Sequence, residues 1–203
     1  MIGLAGTHRT GKTTLAKLWA EQNDIEYITP DVSGVIKTFG MECGDIKTID
    51  DRLKIQRRLV EACDKTFLRK TGVFITDRTP LDVAAYTMAD AVQHMSKSQA
   101  EELNDIVEDC ISITNATMGS IIFLQPGIPF VEERGKPPEN VAYQEHIHSL
   151  TLGLAQDDRT QVSLWSVPRR VTSMEERLEA ISGVYSEIME EISYQAQGVD
   201  RLN

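Results

Sequence analysis

Gly6-Thr7-His8-Arg9-Thr10-Gly11-Lys12-Thr13 is the stretch that decides the fold. A glycine, four intervening residues and then Gly-Lys-Thr have the spacing of a Walker A phosphate loop. Ile2-Gly3-Leu4-Ala5 before it is a short apolar run fit for a buried strand. Thr14-Leu15-Ala16-Lys17-Leu18-Trp19-Ala20 after it reads as helix. Strand, glycine loop and helix are the order that the motif requires. The glycines let the backbone curl until successive N–H groups face one phosphate chain. The new helix adds its unpaired N–H groups and its positive end. Lys12 is then placed to reach the β- and γ-phosphates, and the Thr13 hydroxyl to take one position on Mg²⁺. Gly6, Thr7, His8, Arg9, Thr10, Gly11, Lys12, Thr13 and Thr14 are therefore expected to line a site for ATP and Mg²⁺.

Outward from this loop, strands and helices alternate without repeats or low-complexity linkers. Ile25 to Ile28 is a short strand candidate closed by Thr29-Pro30-Asp31, and a variable stretch with Gly34, Gly40 and Gly44 follows. Thr48 with Asp51 opens a long helix. Its apolar face is Ile55, Leu59, Ala62, Cys63 and Phe67, and Gly72 stops it. Val73 to Thr76 is a buried strand, and Thr79 and Pro80 start the next helix as N-cap and first helical residue. Further elements follow: a helix around Ser98 to Ile113, a strand from Ser120 to Leu124, a helix from Asn140 to Ala155 and a strand from Val162 to Val167. Ser173 with Glu176 caps a C-terminal helix. The expectation is an α/β fold, one domain over residues 1–203, with a central parallel sheet of about five strands flanked by helices on both faces.

Composition fits a compact enzyme. The chain has 203 residues, 41% apolar and 26% charged, as in ordinary globular proteins. No apolar run reaches the roughly 18 residues of a membrane span. The first strand begins at Ile2, which leaves no room for a signal peptide. Cys43, Cys63 and Cys110 are odd in number and lack metal-ligand spacing, which suits reduced thiols in a cytoplasm. The net charge of −10 excludes a generic nucleic-acid coat. Seven acids against Arg177 and Arg201 give the segment from Val171 onward a charge of −5, so a solvated last helix carries much of the acidity. A local basic groove elsewhere is still permitted.

Ligands in parallel α/β sheets sit at the carboxyl ends of the strands. The third strand candidate runs into Asp77-Arg78. The acid there can hold Mg²⁺ or activate a hydroxyl, and the arginine can grip phosphate oxygens; a plain ion pair at a helix start is the alternative. Asp31, after the second strand, is a second general-base candidate, although Pro-Asp is also a common turn. Residues 126–140 hold prolines, glycines, Arg134 and Lys136. They read as a lid-like loop able to close over phosphates, with Arg134 its best placed arginine.

These residues resemble the P-loop kinases near thymidylate kinase, deoxynucleoside kinase and ribosylnicotinamide kinase. Small phage members with a Gly-Thr-His-x-Thr-Gly-Lys-Thr-Thr-Leu-Ala loop, such as 5-hydroxymethyluracil DNA kinases, are the most similar of these. Residues 6 to 16, Asp77-Arg78, Ile128-Pro129-Phe130 through Arg134, Leu164-Trp165 and Glu175-Glu176-Arg177-Leu178 carry the resemblance. It implies a contact of Asp31 with the acceptor hydroxyl, a base-reading role for Gln56, and an adenine cradle at Pro168-Arg169-Arg170, with Arg169 toward the nucleotide. Arg52 and Arg57 compete with Gln56. Arg9 either adds charge toward the phosphates or projects to solvent.

The lid lacks the dense arginines that a phosphate acceptor needs, which favours a hydroxyl acceptor. By resemblance, the expected acceptor is the hydroxymethyl group of 5-hydroxymethyluracil in phage DNA. Arg52, Arg57, Arg58, Arg69, Lys70, Arg134 and Lys136 are the candidate groove cations for it. A free deoxynucleoside, a deoxynucleoside monophosphate or ribosylnicotinamide is the alternative acceptor, and a nucleotide-dependent switch or ATPase is the non-kinase alternative. A homodimer stays open. Asp31 and Asp77 divide the roles of base and metal partner between them.

Overall fold

The computed structural model describes residues 1–40, 48–91, 94–129 and 139–199, with side chains through residue 194 in the last helix. Twelve elements follow one another as β1 (Ile2–Ala5), α1 (Lys12–Asn23), β2 (Glu26–Ile28), α2 (Val32–Thr38), α3 (Ile49–Phe67), β3 (Phe74–Thr76), α4 (Pro80–Ala89), α5 (Lys97–Thr117), β4 (Ser120–Leu124), α6 (Val141–Ala155), β5 (Ser163–Val167) and α7 (Met174–Val199). Every strand pairing is parallel, and the strands lie in the order β2-β3-β1-β4-β5. This is the single α/β layer structure that the alternating pattern predicts.

Side-chain alternation along the strands separates two cores. Ile2 and Leu4 of β1, Ile75 of β3 and Ile122 and Leu124 of β4 point to one face. There they meet Leu15, Trp19 and Ala20 of α1 and Ile181 and Val184 of α7. Phe74, Ile121 and Phe123 point to the other face and pack with α3, α4 and α5. A strand buried on both faces needs a continuous apolar run, and IGLA and SIIFL supply one. Trp19 fixes α7 against α1: its indole N–H donates to Ser182 Oγ at 2.9 Å, and its ring meets Tyr185 edge-on at 5.3 Å.

The expected elements stand where the patterns put them, with one addition. The stretch after β2 begins with the short helix α2, and Asp31 is its N-cap, accepting the Gly34 N–H at 2.8 Å. Its glycine content hides that helix from the sequence pattern. Cys43, Arg134 and Lys136 lie outside the described residues. Cys63 and Cys110 are buried free thiols, and burial pushes Cys63 up to about 12 and Cys110 well above its ordinary value, so both stay protonated. Among the described residues, no helix is long and apolar enough to cross a membrane.

Candidate active site

The phosphate loop leaves the carboxyl end of β1, the central strand. Gly6 lies at φ 136°, and a Cβ there would stand 2.6 Å from the Leu124 carbonyl oxygen, so no larger residue fits. Gly11 lies at φ 79° and is the N-cap of α1. Thr10 Oγ1 donates to the Thr7 carbonyl at 3.0 Å and braces the turn. Lys12 Nζ donates to the carbonyls of Gly6 at 2.6 Å and Thr7 at 2.8 Å, which holds the ammonium at the loop. Burial pushes its pKa down to about 8; Arg78 adds to that, and Asp82 and Asp77 oppose it.

How the helices begin sets α1 apart. Side-chain oxygens of Asp31, Thr48, Thr79, Ser96, Asn140 and Ser173 accept first-turn amides of the six other helices. No side chain caps α1. Its first-turn N–H groups are orphan donors, aligned with the positive helix end and open to an anion.

Asp77 follows β3 and meets α1 here, accepting a hydrogen bond from Thr13 Oγ1 on its Oδ2. Its Oδ1 is buried and makes no hydrogen bond among the described residues. Burial alone would raise this carboxyl; the hydroxyls of Thr13, Thr29 and Tyr27 and the charge of Arg78 outweigh it and hold the pKa below the usual carboxylate range. Tyr27 in turn is pushed up to about 12, mainly by burial, with the charge of Asp77 adding to it. An ionised buried carboxylate with an open oxygen beside a threonine hydroxyl is a hard oxygen pair. It fits Mg²⁺, which is held by one or two protein oxygens and keeps its waters. No group of three His, Cys, Asp or Glu able to hold a metal exists among the described residues.

A second side of the site carries aromatic rings. His8 Nδ1 lies 3.3 Å from the Tyr86 hydroxyl of α4, and the His8 ring is 5.9 Å from that of Tyr143 on α6. Tyr86 and Tyr143 are 6.4 Å apart. One turn beyond Tyr86, Asp90 pairs with Arg52 of α3 at 2.6 Å. Gln56, one turn along from Arg52, has a buried Oε1 with no hydrogen-bond partner. The charge of Arg78 acts on Lys12, Asp77 and Tyr86 alike.

The loop, the β3 acid and a parallel sheet with a central β1 set the frame for comparison. A family model described as an AAA domain matches residues 1–177. The chain belongs to this AAA domain family. No curated protein matches it at a significant level. The fold is similar to that of deoxyadenosine kinase from M. mycoides, solved with dCMP and dCDP, with 15% identity, a TM-score of 0.66 and coverage of 92% of this chain and 98% of that one. It is also similar to the NadR protein in complex with NR, with 14% identity and a TM-score of 0.63. That match covers 89% of this chain, which spans 48% of NadR. YorR from Bacillus subtilis is a third, with 14% identity, a TM-score of 0.51 and coverage of 91% and 95%.

Within this AAA domain, the structure gathers some of the expected residues and separates others. Lys12, Thr13, Asp77 and Arg78 converge. Asp31 is exposed and its carboxylate accepts from the Gly34 N–H of its own helix. Arg169 makes a bidentate pair with Glu145 of α6 at 2.6 and 2.7 Å, an exposed link that holds Glu145 below its ordinary pKa. Thr14 is exposed on the first turn of α1.

Three anchors of the site, Asp82 and Arg177 buried and Gln144 partly buried, were not among the expected residues. Asp82 accepts the Gly6 N–H at 3.0 Å and the Thr79 N–H at 2.8 Å, closing the capping box of α4. The Thr-Pro-Leu-Asp spacing signals the box, but nothing local signals Gly6. Gln144 Nε2 donates to the His8 carbonyl at 3.0 Å. Arg177 Nη1 donates to the Thr10 carbonyl at 2.8 Å from within an acidic stretch that reads as solvated.

Proposed function

We propose that this chain is an ATP-dependent kinase that delivers the γ-phosphate to a hydroxyl of a nucleoside-type acceptor. The observation that carries the reading is the meeting of the uncapped α1 start with Asp77 through Thr13: anion-receiving amides and a buried, ionised carboxylate share one point. The loop amides and Lys12 bind and orient the phosphates. Thr13 and Asp77 hold Mg²⁺, which supplies charge neutralisation on the phosphate oxygens. Arg78, and Arg134 from the lid-like segment, stabilise charge on the phosphoryl group in transit. Asp31 or Asp77 takes the acceptor proton. The kinase folds that the chain resembles support this reading.

The acceptor site is the cluster of Tyr86, Tyr143, Gln56 and the Arg52–Asp90 pair. Aromatic rings beside the phosphate loop suit a flat heterocycle, and the unpartnered Gln56 Oε1 suits an N–H on its edge. The deoxyadenosine kinase and NadR structures, solved with dCMP and with NR, support a nucleoside class.

Charge pairing favours a free acceptor over 5-hydroxymethyluracil in DNA. Arg57 is bound by Glu102 at 2.9 Å and by Asp109, Arg58 by Glu61 at 2.6 Å, and Lys70 by Glu26. Cations already matched by carboxylates release few counterions from a duplex.

The test is transfer of labelled γ-phosphate from ATP to thymidine, other deoxynucleosides, thymidylate, ribosylnicotinamide, ordinary DNA and DNA containing 5-hydroxymethyluracil. Label in a free nucleoside or nucleotide supports the reading. Label in the modified DNA alone, with binding that falls steeply with salt, replaces it by a DNA base kinase. Phosphate release with no labelled acceptor replaces it by a switch or ATPase.

A further inference from the structure

Arg177 is 3% exposed, although it stands in the run Glu175-Glu176-Arg177 at the start of α7. It forms no ion pair with any described carboxylate; its guanidinium instead donates through Nε to the Val171 carbonyl at 2.9 Å and through Nη1 to the Thr10 carbonyl at 2.8 Å. Nη2 is buried without a partner. Nη1 also lies 3.5 Å from the position a Gly11 Cβ would take, and Ile128 Cδ1 lies 3.2 Å from that same position. Burying a guanidinium against carbonyls alone is costly, since neither the charge nor the last N–H is matched. A purely structural clamp gains little from that: an uncharged donor could brace one carbonyl without the charge penalty.

We propose that Arg177 is a positioning residue for the triphosphate. Its planar fork fixes the tip of the phosphate loop at Thr10 and Gly11 to the segment after β5, and its buried charge supports the anion on the far side of the loop. This rests on the nucleotide reading above. Val171 directly follows Pro168-Arg169-Arg170, the segment expected to cradle the base, so one side chain sets the distance between phosphate and base ends of the nucleotide. The charge acts on phosphates and not on the nucleoside part, which separates this role from general support of the fold.

The test compares wild type, Arg177→Met and Arg177→Lys by calorimetric titration with ATP and with adenosine. Loss of a charge-assisted contact of this kind costs about 1.5–3 kcal/mol, which converts to an ATP Kd raised about 10- to 150-fold in Arg177→Met. Adenosine affinity is expected to change less than about twofold. Arg177→Lys, which keeps the charge and loses the fork, is expected in between. If Arg177→Met does not fold, Arg177→Lys and amide exchange on the wild type carry the test. ATP should then slow exchange at residues 171–178 of the wild type, and adenosine should not. Wild-type ATP affinity in a folded variant, equal losses for ATP and adenosine, or unchanged exchange overturns the proposal. Absence of ATP binding by the wild type overturns the nucleotide reading itself, a distinct result.

Discussion

The Gly6 N–H donates to Asp82 Oδ1 at 3.0 Å, joining the first residue of the phosphate loop to the first turn of α4. The same carboxylate accepts from the Thr79 N–H, so one buried side chain completes the capping box of α4 and fixes where the loop leaves β1. The loop is thereby positioned by a buried carboxylate on a different helix.

Asp82→Ala keeps the Thr79 cap but removes the other half of the capping box, leaving the buried Gly6 and Thr79 amides without their acceptor. Each buried orphan donor costs about 1–3 kcal/mol, so destabilisation of about 2–6 kcal/mol is expected for the two. Urea unfolding measures it; a loss below about 0.5 kcal/mol, the range of neutral surface changes, contradicts the anchoring role.

Gly6→Ala and Gly40→Ala separate backbone strain from crowding. Both glycines have positive φ, at 136° and 66°, but a Cβ at Gly6 strikes the Leu124 carbonyl while one at Gly40 meets nothing within 4 Å. Gly40→Ala is expected to cost about 1 kcal/mol, and Gly6→Ala clearly more, with loss of nucleotide binding. Equal costs for the two would show that Leu124 gives way.

Lys12 gives the site a pH dependence. Its amine is held at about 8 by burial, so it is charged below that pH and loses its proton above it. Free-enzyme groups govern kcat/KM, so kcat/KM for ATP is expected to fall as pH rises through about 8. Bound phosphate favours the ammonium, so kcat at saturating ATP should fall at higher pH. A flat kcat/KM profile to about pH 9.5 contradicts this assignment.

Asp77→Asn and Asp31→Asn distinguish the two acids. Each is expected to lower turnover about 10²- to 10⁴-fold if it moves the proton, with a smaller effect on ATP affinity. The substitution that also raises the Mg²⁺ concentration needed for half-maximal rate identifies the metal partner. The Thr13 hydrogen bond predicts that this is Asp77.

The fold was legible because its signals are local. IGLA and SIIFL are continuous apolar runs, and Thr79-Pro80 and Asn140 are caps that act within one turn. The phosphate loop was legible for the same reason: glycine conformations and a lysine at fixed offset leave a contiguous mark. Asp82, Gln144 and Arg177 were not legible in these roles, since each reaches the loop from far along the chain. The Gln144 link spans 136 positions and the Arg177 link 167. Arg177 was masked further by its acidic neighbours, whose charges face solvent while its own does not. α2 was hidden by Gly34, a weak helix former that Asp31 caps from outside the pattern.

Phosphoryl transfer itself tests the central claim most directly. Wild type and Lys12→Ala, each shown folded, are incubated with labelled ATP, Mg²⁺ and a pool of free deoxynucleosides and ribosylnicotinamide. Label on a nucleoside hydroxyl with wild type and none with Lys12→Ala is the expected result. Equal labelling by both proteins, or release of phosphate without any labelled acceptor, contradicts it.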